Sequence, residues 1–247
     1  MTLTRTATEA RLPVLEVFGP TIQGEGMMIG QKTMFVRTAG CDYRCAWCDS
    51  KFTWDGSERH LVRHLTPAEV LAEVCALGQD RFQHVTVSGG NPALIGEPMA
   101  EFIRLCHERE LRVGLETQGS RWQDWFTEID DLSISPKGPS SGMETDWDVL
   151  DDLVARLTSH GVHFSLKVVV FNAADLAFAR AVFARYPHAE KYLQPGNEDV
   201  AAAGDISRRL LDKLAWLFEQ VIADKAFNDV RVLPQLHALV WGNKRRK

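Results

Sequence analysis

A chain of 247 residues, 45% of them hydrophobic, is long enough to bury a full core in one domain. Its 28 Lys and Arg against 33 Asp and Glu leave a net charge of −5, so no broad basic field for nucleic acid is expected. The opening MTLTRTATEARLP has no apolar segment of the secretory type, and no apolar run approaches the roughly 18 residues of a membrane span, so no membrane association is expected either.

VLEVF (14–18) and TMFVR (33–37) read as the first two strands. Between them GEGMMIG (24–30) has a Gly-x-Gly-x3-Gly spacing, but no helix pattern follows, so it is discounted as a phosphate loop. Residues 38–60 have little regular pattern and read as a functional loop. TPAE (66–69) is a capping box: Thr66 caps, Pro67 suits the first turn and Glu69 reaches back. Val70, Leu71, Val74 and Leu77 then share a helix face. HVTVSGG (84–90) is a strand ending in glycines, and Met99, Phe102, Ile103 and Cys106 recur at helical spacing. LRVGLET (111–117) and DLSISPK (131–137) are strands. Leu150, Leu153, Val154 and Leu157 mark a helix, FSLKVVV (164–170) a buried-type strand, and Leu176, Ala179, Phe183 and Tyr186 a further helix. KYLQPGN (191–197) is a short strand and turn, Ile206, Leu210, Leu214, Leu217 and Val221 a long helical stripe, and DVRVLPQLH (229–237) closes the pattern.

Strands separated by helices imply an α/β fold with a mostly parallel sheet and right-handed crossovers. The polar motifs SGGN, ETQG, SPK and LQPGN all follow strand C-termini, the functional edge of an α/β barrel or open sheet. With no linker in view, residues 1–247 read as one domain, and the basic run KRRK (244–247) reads as a solvated tail.

GCDYRCAWCDSKF (40–52) holds three of the five cysteines, Cys41, Cys45 and Cys48. The odd total does not suit a secreted disulfide framework, and clustered thiols in the cytoplasm serve metals or catalysis. A closed zinc site would need a fourth ligand, for which Asp42, Asp49, His60 and His64 are local candidates. Cys75 and Cys106 lie on apolar helical stripes and read as small core residues. A cubane iron–sulfur cluster takes four cysteines, so three leave one iron open to an outside ligand.

CDYRCAWC resembles the Cys-x3-Cys-x-aromatic-Cys signature of the radical S-adenosylmethionine (SAM) superfamily. The resemblance implies a 4Fe–4S cluster on Cys41, Cys45 and Cys48, with SAM as its fourth ligand, in a partial (β/α) barrel whose site lies at the C-terminal strand ends. SGGNP (88–92) resembles the superfamily's Gly-Gly-Glu-Pro motif. The backbone role of Gly90 toward the SAM amine carries over, whereas Asn91 stands where the family has Glu, and a Glu there is expected to be accommodated. By the same resemblance Trp47, Cys48, Asp49, Ser135, Pro136, Lys137, Gln194, Pro195, Gly196 and Asn197 are assigned to SAM.

The stretch EVFGPTIQGEGMMIGQKTMFVRTAGCDYRCAWCDSKFTW is similar to the opening of the 7-carboxy-7-deazaguanine synthase family. ETQGS (116–120) resembles that family's Glu-Thr-x-Gly segment, and the likeness runs from about residue 13 to LPQLHALVWGN. Residues 1–12 form an extension outside it, and 243–247 a basic tail. The resemblance implies ring contraction of 6-carboxy-5,6,7,8-tetrahydropterin to 7-carboxy-7-deazaguanine and ammonia, in queuosine and 7-deazapurine biosynthesis. It implies a homodimer and a Mg²⁺ ion held by Ser50. A flavodoxin or ferredoxin is the expected electron donor. Arg37 is the candidate for the substrate carboxylate, since a guanidinium matches it bidentately, with a structural ion pair as its other reading. Ile22, Gln23, Gly24, Glu25, Ser88, Glu116 and His237 are the remaining substrate candidates, and no single catalytic side chain is assigned. Two rivals are a glycyl-radical-activating enzyme, against which FGPTIQGEG argues, and a non-catalytic zinc module, against which the charge balance and strand-end motifs argue.

Overall fold

A computed structural model of the chain describes residues 10–202 and 204–247. Most of the expected N-terminal extension, residues 1–9, lies outside the described residues. The strands, in chain order, are β1 (Leu12–Ile22), β2 (Lys32–Thr38), β3 (Arg63–Leu65), β4 (His84–Gly89), β5 (Arg112–Thr117), β6 (Asp131–Ile134), β7 (Phe164–Val170), β8 (Glu190–Pro195) and β9 (Val230–Val232). They form one sheet in the order β3-β1-β2-β4-β5-β6-β7-β8-β9. From β2 to β9 every pairing is parallel, whereas β1 runs antiparallel to both β2 and β3. The two sheet ends, β3 and β9, do not pair, so the sheet stays open as a partial (β/α) barrel. β3 has only three residues, and its exposed RHL carries no alternating pattern, which is why the sequence does not announce it.

Helices α1 (Pro67–Gly78), α2 (Glu97–His107), α3 (Trp147–Ser159), α4 (Ala173–Arg185), α5 (Ser207–Ile222) and α6 (Leu236–Trp241) follow strands as the periodicity predicts, except the short α6 after β9. The capping box forms as read: Glu69 N donates to Thr66 Oγ1 at 3.2 Å, and Thr66 N donates to Glu69 Oε2 at 2.7 Å. Val70, Leu71 and Val74 are buried, but Leu77 is 43% exposed, because the buried row continues from Val74 to Gly78, which packs on Met34 and Phe82, and leaves Leu77 on the flank. Between β5 and β6 no α-helix forms. Only 13 residues connect Thr117 to Asp131, and a 3-10 turn, Asp124–Glu128, covers the sheet there with buried Trp125 and Phe126.

The segment that resembles a phosphate loop fills the barrel instead. It makes a single 3-10 turn, Gly26–Met28, inside the curled sheet. A Cβ on Gly114 would lie 2.2 Å from Met28 Sδ, and one on Gly26 3.0 Å from Ser133 Oγ, so both glycines let this segment into the interior. Met28 is buried there, and the preceding Glu25 is left facing the upper part of the barrel. The outer face of the sheet packs on the helices through one large apolar cluster that includes Val85, Val113, Phe102, Leu153 and Val168.

Phe126 is wholly buried and stands where a crossover helix would otherwise cover β5 and β6. Truncating it leaves a cavity that neighbouring turns cannot refill. Phe126→Ala is therefore expected to cost about 3–5 kcal/mol, seen as a lower denaturant midpoint with the slope retained.

Candidate functional site

The C-terminal strand ends open on one cavity of about 410 Å³. Parallel strands place every β-to-α loop on this side, and side-chain alternation along each strand decides which residues face inward. The three loop cysteines border the cavity. The loop that carries them is pinned to the β4 end by main chain: Gly90 N donates to Thr38 O at 3.1 Å and Asn91 N to Gly40 O at 2.7 Å. A Cβ on Gly90 would sit 1.9 Å from Gly40 O, so this approach demands glycine. All three thiols are pushed above the ordinary cysteine range, in each case by burial first. For Cys45 the charges of Cys41 and Cys48 add to that, and all three residues line the same cavity. A metal taken up here must displace those protons, and three thiols lining one open cavity fit an iron–sulfur cluster.

Asn91 does not face the cavity. It is 1% exposed, and its Nδ2 donates to Asp42 Oδ1 at 2.9 Å and to Ser120 Oγ at 3.0 Å. Its Oδ1 accepts from Thr117 Oγ1 at 2.9 Å and Ala93 N at 3.2 Å. The side chain therefore ties the cysteine loop, through Asp42, to the β5 end. These contacts argue against the expectation that Glu is accommodated at 91: a second carboxylate would be buried against Asp42 and would have no N–H to give it.

A buried charge cluster borders the same cavity. Lys167 Nζ, on β7, is 2.5 Å from Glu25 Oε2 and 3.5 Å from Glu116 Oε1, and its side chain is 4% exposed. Burial opposes the Lys167 ammonium, yet Glu116 and Glu25 hold it above the ordinary lysine range. Burial likewise works against the Glu25 carboxylate, but the charges of Lys167 and His237 hold it below the usual carboxylate range. Gln235 Nε2 donates to Glu25 Oε1 at 2.9 Å, and Gln23 Nε2 to Glu116 Oε1 at 3.3 Å. His237 packs so tightly on Gly24 that a Cβ there would meet Nδ1 at 2.3 Å. Lys167 was missed by sequence reading, although a lysine inside the buried-type strand FSLKVVV is itself a signal, since a buried cation needs partners.

Arg37 lines the cavity with these groups. Its Nε is 2.9 Å from Glu16 Oε1 and its Nη1 donates to Ser50 Oγ at 3.0 Å. Ser50 Oγ in turn donates to Asp49 Oδ1 at 2.8 Å. The rings of Phe18 and Phe52 flank the guanidinium at 5.6 and 5.4 Å. Arg37 thus holds both roles considered for it: it is in an ion pair, and it borders the cavity. Glu16 is 2% exposed and is also gripped by Arg245 at 3.0 Å and Arg246 at 2.6 Å. The basic run is exposed as expected, but two of its arginines also reach back to Glu16. Buried Glu16 draws its arginines back, and Arg245 also lies 3.8 Å over the Phe52 ring. Ligand atoms of Glu25, Asp49 and His237 come within 4.8 Å of one another beside this group, an arrangement that could hold a cation.

Of the residues assigned to SAM by resemblance, Trp47, Cys48, Asp49, Gly90, Ser135, Lys137, Gly196 and Asn197 border the cavity. Lys137 is pushed down by burial and pulled back up by Cys45, and its Nζ donates to Ser135 Oγ at 2.9 Å. Gly196 makes room for Phe171, whose ring lies 5.0 Å from Trp47. Three residues are not in the wall. Pro136 alternates with Ser135 and Lys137 and faces away from the cavity, Pro195 pairs in register with buried Val170 on the helix side, and Gln194 lies wholly buried below the wall. Ile22, Gln23, Gly24, Glu25, Ser88, Glu116, Ser50 and His237 all border the cavity. His60 and His64 are exposed and do not border it.

Residues 35–170 match the Radical SAM superfamily. The chain is 57% identical to the 7-carboxy-7-deazaguanine synthase of Bacillus subtilis, over 95% of this chain and 98% of that protein. It is 52% identical to the enzyme of the same name from Bacillus cereus, over 96% of this chain and 99% of that protein. Among solved structures it resembles QueE from Escherichia coli, with a TM-score of 0.68 at 22% identity, covering 92% of this chain and 95% of that one.

Asn91→Glu is expected to lower the thermal midpoint of the metal-free protein. Losing the bond to Asp42 while burying a carboxylate should cost about 1–3 kcal/mol. An unchanged midpoint would show that Asp42 does not depend on Asn91.

Proposed function

The chain belongs to the radical SAM superfamily and within it to the 7-carboxy-7-deazaguanine synthases, and from that premise we propose how its own residues convert 6-carboxy-5,6,7,8-tetrahydropterin to 7-carboxy-7-deazaguanine and ammonia. The product is the 7-deazapurine precursor of queuosine. The enzyme is a lyase that uses a 4Fe–4S cluster, SAM and Mg²⁺ on a small-molecule substrate. The observation that carries the residue assignment is the cavity itself, which gathers three thiols, the Lys167 cluster and Arg37 in one wall.

Cys41, Cys45 and Cys48 would hold the cluster, and the cavity groups beside them, Gly90, Ser135, Lys137 and Asn197, would hold SAM. When bound, cluster and SAM would supply the radical chemistry of the ring contraction. Arg37 grips the substrate carboxylate. Glu16 fixes the guanidinium from behind through Nε, which leaves its outer edge toward the cavity. Glu25 and Glu116 accept hydrogen bonds from the amino edge of the pterin, because an ionised carboxylate is acceptor-only. Lys167 favours the ionised form of Glu25 and, lying 2.5 Å from Glu25 and 3.5 Å from Glu116, keeps both carboxylates in place. His237 and Gln23 hold the flanking Gly24 and Glu116 and complete the wall, with Ile22 and Ser88 at its edges. Ser50 would supply the protein oxygen for Mg²⁺, an ion that takes few protein ligands and keeps waters. The protein acts as a homodimer, in the cytoplasm, and receives its electron from a flavodoxin or ferredoxin. No helix among the described residues is long and apolar enough to cross a membrane.

The decisive test is anaerobic reconstitution with iron and sulfide, then mass spectrometry of the product from carboxytetrahydropterin, SAM and a reductant. Appearance of 7-carboxy-7-deazaguanine is expected, and its absence from a fully loaded enzyme would overturn the reading. Alanine at Cys41, Cys45 or Cys48 should abolish turnover. Cys75→Ala and Cys106→Ala should retain it, since both side chains pack on or within the apolar core.

A third expectation concerns Arg37. Glu16 has two further guanidinium partners, so Arg37→Ala should leave the fold intact. Substrate affinity should nonetheless fall, because the carboxylate loses its partner. Arg37→Lys should cost about 1–3 kcal/mol of binding, since an ammonium cannot meet both carboxylates with a planar fork. Substrate titration, with SAM affinity as control, checks this. Unchanged affinity in Arg37→Ala would return Arg37 to a purely structural role.

A further inference from the structure

Two side chains outside the cysteine motif aim N–H groups at its sulfurs. Trp54 Nε1 donates to Cys48 Sγ at 3.4 Å. Gln118 Nε2 donates to Cys41 Sγ at 3.7 Å, a long bond but within the range for sulfur. Each donor is held from elsewhere. Trp54 follows the 3-10 turn Lys51–Thr53, its N donates to Lys51 O at 2.9 Å, and Arg44 lies 4.8 Å over its ring. That turn is fastened to the first cysteine's own strand exit by Gly40 N donating to Thr53 O at 2.8 Å.

Gln118 is 7% exposed, and its Nε2 also donates to Asp42 Oδ1 at 2.6 Å. An ionised carboxylate accepts and does not donate, so this contact fixes which end of the amide faces the loop. Asp42 is itself held by Asn91 Nδ2 and by Ser120 Oγ at 2.6 Å. The Gln118 N–H therefore cannot turn from Cys41 without breaking a four-residue network. Both donors border the cavity wall that carries the cysteines.

We propose that Trp54 and Gln118 are positioning residues that set the reduction potential of the cluster, each through an N–H···S bond to one of its thiolates. The proposal rests on the cluster assignment above. Reduction adds one electron, taken from an external low-potential donor, and so adds one negative charge to the iron–sulfur–thiolate unit. An N–H dipole pointing at a ligating sulfur stabilises the more negative form and raises the potential. The same loop carries Asp42 and Asp49, whose charges act in the opposite sense, so donors fixed in geometry matter more here than in a neutral surrounding. The third thiolate, Cys45, has no such side-chain donor among the described residues and faces the charge of Lys137 instead.

The test uses the full chain reconstituted with iron and sulfide, with no substrate present. Trp54→Phe keeps an aromatic ring beneath Arg44 and removes the N–H together with the five-membered part of the indole, so iron content is read beside the midpoint to separate lost packing from the lost donor. Gln118→Leu removes the second donor independently. Redox titration followed by electron paramagnetic resonance should give a more negative midpoint for each variant and the largest negative shift for the double variant, at the iron content of the unaltered protein. Unchanged midpoints at full iron content would overturn the proposal. So would failure of both variants to take up iron, since that would make the side chains assembly elements and not tuning elements. Failure of the unaltered protein to form a cluster would instead overturn the cluster assignment of the preceding subsection.

Discussion

Everything at the upper rim of this barrel depends on one close approach of two main chains. Gly90, at the end of β4, lies against the carbonyl of Gly40, at the end of β2, in a space where no Cβ fits. Gly89, beside it, has φ +128 and would otherwise meet Thr38 main chain at 2.3 Å. Parallel neighbours β2 and β4 bring these ends together, and the two glycines let them touch. The cysteine loop can then fold over the β4 exit and put its thiols on the cavity wall. A side chain at Gly90 would lift that loop and separate the thiols from the strand-end groups opposite them.

Two buried charge clusters flank the approach, and both are built by pairing across distant segments. Lys167 meets Glu25 and Glu116 from three separate elements. Glu16 meets Arg37 across the β1–β2 ladder, where the two are register partners, and Arg245 and Arg246 from the chain end. Burying such groups costs several kcal/mol per ion before pairing offsets it, so neither cluster is an efficient way to stabilise a fold. Their value is geometric. Each holds side chains at the cavity edge in one direction, as preorganised binding of a charged, hydrogen-bonding substrate requires.

The periodic part of the fold was legible in the sequence because it follows local rules. The Thr66–Glu69 box, the helix faces at 99–106 and 150–157 and the strand runs appear where their spacing predicts. The three loop cysteines were legible because their spacing has a chemical reason. What stayed hidden depends on tertiary partners. Glu16 in VLEVF and Lys167 in FSLKVVV each break an apolar run, which signals a buried charge but names no partner. The arginines of the tail read as solvated because nothing local says that Glu16 waits for them. Gln118, Phe171 and Trp54 belong to ordinary turns until the fold brings them to the cavity. The antiparallel direction of β1 and the short β3 carry no sequence signal of their own.

Charge balance around the cysteine loop explains the residue at 91 without appeal to a lost contact. Three thiolates, Asp42 and Asp49 would crowd one corner with negative charge once a metal is bound. Lys137 is the cation whose charge bears on Cys45 and Cys48, and burial already works against its ammonium. A carboxylate at 91 would deepen that imbalance in a fully buried position. Asparagine there does the reverse: it donates to Asp42, accepts from Thr117, and brings no charge. It also frees Asp42 to orient Gln118 toward Cys41. The exchange of a charged for a neutral side chain at one strand end is thus coupled to the hydrogen bond that reaches the nearest sulfur, and the two positions have to be understood together.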